Sequence, residues 1–107
     1  MTEALARAHI DRFNAAVADG DWSWLTTSLH PDAVMTFIGP PVGPFVGRDA
    51  IAEAYATNPP DDTMRVLTVR TDTAAEVVSF EWSRGGTGTL IIHRSGDQIT
   101  SLVIQFD

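Results

Sequence analysis

A chain of 107 residues has material for one hydrophobic core, so a single domain over 1–107 is expected. Fourteen Asp and Glu against seven Lys and Arg give a formal charge of −7, a sign that repels phosphate backbones and anionic lipid and argues against nucleic acid or membrane partners. Cysteine is absent, which excludes disulfides and thiolate chemistry. No apolar run approaches the roughly eighteen residues of a membrane span and no signal-peptide pattern opens the chain, so a cytoplasmic protein is expected.

Residues Thr2 to Asp19 carry Ala6, Ile10, Phe13 and Val17 at helical spacing. Glu3 with Arg7, and Arg7 with Asp11, stand four apart on the polar side, where such pairs add a few tenths of a kcal/mol. Gly20 predicts the stop, since it enters the left-handed region without a Cβ clash. Asp21 is placed to cap a second helix that shows Trp22, Leu25 and Leu29 on one face and ends at Pro31.

Ala33 to Ile38 are strand formers. Gly39-Pro40-Pro41 and Gly43-Pro44 cannot continue a ladder, because each proline lacks an N–H, and they predict a stiff irregular loop. A third helix is expected from Arg48 or Asp49 to Thr57, burying Ile51, Ala54 and Tyr55, with Asn58-Pro59-Pro60 as its end.

The second half predicts four strands, Thr63–Thr71, Ala75–Ser83, Thr87–Arg94 and Gln98–Phe106. They are separated by hairpin-length turns at Thr71-Asp72-Thr73, Arg84-Gly85-Gly86 and Ser95-Gly96-Asp97. Helices first and a meander last give an α+β fold, three N-terminal helices packed on a curved antiparallel sheet. Alternation assigns Val78, Phe80, Trp82, Thr87, Thr89, Ile91, Leu102, Ile104 and Phe106 to the helix-covered face. The opposite face receives Val77, Ser79, Glu81, Leu90, Ile92, Ile99 and Val103. Five of those seven are aliphatic, whereas a solvated face reads polar, so a homodimer through Val77, Leu90, Ile92, Ile99 and Val103 is expected.

The segments ADGDWSWL, HPDAVMTF, VSFEW, GRDAIAEAY and DQITSLVIQFD, in this arrangement of elements, resemble the nuclear transport factor 2-like superfamily, which includes ketosteroid isomerases, SnoaL-like polyketide cyclases and scytalone dehydratase. The resemblance covers nearly the whole chain. It implies a cone-shaped, cystatin-like fold with a deep cavity between sheet and helices, and dimerisation through the outer sheet face. It specifies the fold far better than the chemistry, because unrelated reactions share this cone. The isomerase reaction uses a phenol on the first helix, a carboxylate base on the first strand and a protonated carboxyl on a later strand. The matching positions here read Phe13, Phe37 and Thr89, or Thr87 if the hairpin shifts, and none of these abstracts a proton at neutral pH.

Among polar candidates, Tyr55 is a possible handle on a ligand carbonyl or a plain core tyrosine. Glu76 continues the inward alternation and would become a useful base if desolvated, but it stands beside a turn. Asp32 with His30 reads as an acid–base pair or a helix-end turn. Thr87 and Thr89 offer hydroxyls or simply fill a strand. His9, His30 and His93 lack metal-ligand spacing, so neither a metal nor a cofactor is predicted. The expected ligand-binding set is Phe13, Phe37, Tyr55, Phe80, Trp82, Thr87, Thr89, Ile104 and Phe106 around a hydrophobic small molecule. Three readings stay open: an apolar binding domain, an isomerase- or cyclase-type enzyme with non-standard residues, and a non-catalytic dimerisation module.

Overall fold

The computed structural model describes residues 2–72 and 75–107. Helix α1 runs Thr2–Asp19 and buries Ala6, His9, Ile10, Phe13 and Ala16. It stops where Gly20 takes φ +79° and its N–H bonds back to the Ala16 carbonyl at 2.7 Å. The Glu3–Arg7 pair forms at 3.0 Å on the exposed side. Helix α2 is one turn, Ser23–Thr26; Asp21 accepts from the Ser23 N–H and hydroxyl just before it.

Strand β1 begins at Leu29, earlier than its sequence predicts, and runs to Ile38. Pro31 and His30 therefore lie in a strand and not at a helix end. The register shift between Leu29 and Val34 takes up the proline, whose missing N–H cannot serve a continuous ladder. The Pro/Gly loop then returns the chain as a two-residue strand β2, Phe45–Val46, paired antiparallel with β1 at Val34 and Met35. Gly39 and Gly43 both hold positive φ there, and the Gly43–Pro44 peptide is cis. Helix α3, Arg48–Thr57, follows these two strands, in the order the sequence predicts; of the three helices expected in the N-terminal half, the second is only one turn.

Strands β3 Met64–Thr71, β4 Ala75–Trp82, β5 Thr87–Ser95 and β6 Gln98–Phe106 form the predicted meander; Thr73, in its first turn, lies outside the described residues. The six-stranded curved sheet has the order β2-β1-β6-β5-β4-β3, and β1 runs parallel to β6, so the sheet is mixed. The fold is α+β. The Asn14 amide clamps the β3 edge to α1, donating to the Met64 carbonyl and accepting from its N–H, each at 2.8 Å.

Register decides the faces. Val78 pairs with Leu90 and Leu90 with Ile104; Glu76 pairs with Ile92 and Ile92 with Leu102. Leu90, Ile92 and Ile99 are therefore fully buried under the helices, and their assignment to an outer dimer face is overturned. Ile91, Thr89 and Thr87 take the outer face instead, Ile91 between Val77 and Val103. Among the described residues no helix is long and apolar enough to cross a membrane.

Candidate functional site

A cavity of about 120 Å³ lies between α1 and the inner face of the sheet. Helix α1 contributes His9 and Phe13, β1 Phe37, and α3 Tyr55; Pro60 and Met64 close it from the chain leading into β3. The sheet supplies Trp82 from β4, Leu90 from β5, and Leu102, Ile104 and Phe106 from β6. A second cleft of about 420 Å³ adjoins it, built from Met35, Val42, Phe45 and the end of α3. Phe37, Tyr55 and Pro60 line both spaces and so form the wall between them. The Pro/Gly loop thus borders the outer cleft, while α3 contributes to the partition.

Aromatic contacts run almost unbroken around the inner space. Tyr55 stacks on Trp22 at 4.2 Å and 3°. Trp22 meets the edge of Phe13, Phe13 tilts against Trp82, and Trp82 stacks on Phe106 at 5.7 Å. Phe106 then reaches Phe37, and Phe37 meets Phe45 edge-on. Offset and edge-to-face geometries like these add to area burial and fix ring orientation. Rings braced against one another are poorly placed to collapse into the space they enclose.

The lining carries little polarity. The Tyr55 hydroxyl donates to the Met35 Sδ at 3.3 Å, and burial pushes its phenol well above the ordinary tyrosine range. It is therefore a neutral, internally engaged group. Trp82 Nε1 is buried with no partner among the described residues. His9 is 5% exposed and its Nδ1 has no partner among the described residues either. Burial first, then the nearby charges of Arg94 and Arg12, push its pKa down to about 4. At neutral pH the imidazole is uncharged and too weakly basic to take a proton efficiently from carbon. Among the described residues no carboxylate lines the cavity.

Of the residues expected at the site, Phe13, Phe37, Tyr55, Trp82, Ile104 and Phe106 line the cavity. Phe80 does not: fully buried, it packs edge-on behind Trp82 at 4.9 Å. Thr87 and Thr89 are corrected to the opposite face, because the β5 register turns them away; the Thr87 hydroxyl donates to Asp107 there. Asp32 is exposed, its backbone N–H donating to His30 Nδ1 at 3.0 Å, so no acid–base pair forms. Glu76 does point inward and is buried, but both its oxygens accept from Arg94 Nε, at 3.1 and 3.0 Å, away from the cavity. His93 also lies on the outer row, opposite Ala75 and Ser101. His9, Pro60, Met64, Leu90 and Leu102 were not foreseen as lining. The signal for His9 was present: it stands three residues after Ala6 and four before Phe13, on the buried stripe itself. Among the described residues no group of three or more His, Cys, Asp or Glu is placed to hold a metal.

Residues 10–106 match the profile of the SnoaL-like domain, which takes in both walls of the cavity. The chain belongs to the SnoaL-like family. Its structural relatives include proteins described as NTF2-like. An NTF2-like protein from Anabaena variabilis is 20% identical over 99% of this chain and 89% of its own, with a TM-score of 0.79. A ketosteroid isomerase candidate from Kribbella flavida is 18% identical over 97% of this chain and 76% of its own, at 0.80. A protein from Sphaerobacter thermophilus is 26% identical over 96% of this chain and 93% of its own, at 0.74. No curated protein matches the sequence. For this SnoaL-like domain, likeness at such identities to the first two establishes the fold; chemistry has to be argued from the site.

Proposed function

We propose that this SnoaL-like domain binds a small, uncharged, apolar or ring-shaped molecule in the cavity between α1 and the sheet, and that it grips the molecule without transforming it. One observation carries the reading: the lining is aromatic and aliphatic, with no carboxylate and with its one imidazole held neutral. An apolar cavity of about 150 Å³ accepts benzene, so the 120 Å³ here suits a single ring. A longer ligand would place its remainder in the outer cleft, past Phe37, Tyr55 and Pro60. Turnover, the second reading, would have His9 as the only titratable lining group besides Tyr55 among the described residues, and a base with a pKa near 4 is poorly matched to neutral pH.

We infer also that two copies pair through the outer sheet face, where Val77, Ile91 and Val103 form a cross-strand aliphatic row. The cysteine-free sequence suits a cytoplasmic setting.

The binding reading is tested by thermal melting with benzene or toluene as probe, against Leu102→Phe, which puts a ring into the space a ligand would use. The parent should gain melting temperature with probe; the variant should fold and gain none. Equal gains in both would place the probe elsewhere and remove the cavity as the site.

A further inference from the structure

Three buried nitrogens without partners among the described residues belong to side chains that line one pocket beside the middle of α1: His9 Nδ1, Arg12 Nε and Arg94 Nη2. Buried polar atoms are nearly always satisfied, so two guanidinium donors and an imidazole nitrogen at one place call for a partner. Their residues line a separate pocket of about 150 Å³ between α1 and the β5–β6 hairpin. We propose that this pocket is a binding site for a small carboxylate carrying a short hydrocarbon tail, held between the Arg12 and Arg94 guanidinium groups.

The arrangement of donors favours an anion. Arg94, with its side chain only 11% exposed, spends Nε on Glu76 and leaves Nη2 unused. Arg12 lies over the Trp24 ring at 5.1 Å and pairs with no carboxylate among the described residues. Glu76 is bonded to Arg94 and Asp97 to neither guanidinium, so the charges around the pocket balance but Arg12 has no bonded counterion among the described residues. Both cations also act on the His9 imidazole, after burial, which places the three side chains near one another. Guanidinium forks match the planar geometry of a carboxylate. Leu5, Ala8 and Ile99 supply the pocket's apolar side, where a short tail would rest. Asp97 lines the pocket from the β5–β6 turn and would oppose an anion. His9 lines both this pocket and the apolar cavity, but the two ligands differ in charge, so the failure of one proposal leaves the other standing.

The test is a titration with sodium acetate and sodium butyrate against sodium chloride at matched ionic strength, followed by NMR at the Arg94 Nε–H and the His9 ring. Saturable shifts with both carboxylates, tighter for butyrate, are expected. Arg12→Gln should weaken butyrate about tenfold or more, the loss of one charged hydrogen bond. Asp97→Asn, a surface change that spares the core, should tighten it. Equal responses to chloride and butyrate, or no loss in a folded Arg12→Gln, would overturn the site. Inorganic phosphate binding as tightly as butyrate would overturn the carboxylate assignment.

Discussion

At the scale of single residues, His9 is the most informative side chain. Its folded pKa of about 4 lies below the ordinary 6.5, so the fold holds the neutral form. Between those values the unfolded chain binds a proton that the folded chain refuses, and stability rises with pH across that window. The contribution is complete above pH 6.5 and is lost as pH falls toward 4, about 3 kcal/mol in all. Urea unfolding across this range should show that slope in the parent and a flatter one in His9→Leu; parallel curves would mean that His9 is not buried neutral. Tyr55 carries the opposite lesson. A phenol on the buried side of a helix invites a catalytic role, yet its hydroxyl is spent on a thioether and its ring on Trp22.

Among the elements, β5 separates what the sequence makes legible from what it does not. Both long helices and all four meander strands follow from periodicity and turn chemistry, because Gly20, the prolines and the glycine-bearing turns punctuate them physically. The face of β5 does not follow, since Leu90-Ile91-Ile92 are aliphatic in succession and erase the alternation. Gly88, with no side chain to declare a direction, is the residue that points inward between Thr87 and Thr89. Pairing it with Phe80 fixes the register. A Cβ at Gly88 would stand 2.6 Å from Phe80 Cζ and 2.7 Å from the Gln105 carbonyl oxygen. Gly88→Ala should therefore cost about 1–3 kcal/mol as overpacking, read by thermal or denaturant unfolding. An unchanged midpoint would contradict the close approach. The short β2 was hidden for a different reason: two residues between Pro44 and Gly47 carry no periodicity, and only pairing with β1 defines them. The cavity's aromatic members were readable from the inner faces. Leu90 was lost with the β5 register, and Pro60 and Met64 depend on how the chain after α3 closes the space.

For the whole molecule, the corrected faces move the aliphatic outer row but leave it in place. Three of the five residues first expected there are core, while Val77 and Val103 remain and Ile91 joins them. A charge placed in that row would have to be desolvated on pairing. Val103→Asp is expected to yield a monomer in analytical ultracentrifugation under conditions where the parent is a dimer, and an unaltered dimer would exclude this face. The interior has a different logic, in which aromatic rings hold one another around a space that carries no charge at neutral pH. That combination suits retention of an apolar ring better than acid–base chemistry. Its most direct test is NMR with isotope-filtered detection of contacts from unlabelled toluene to the labelled protein. Contacts are predicted to the methyl groups of Leu90, Leu102 and Ile104, the three aliphatic lining residues of the inner sheet face. Contacts confined to Val42 in the outer cleft, with none to those three, would contradict it.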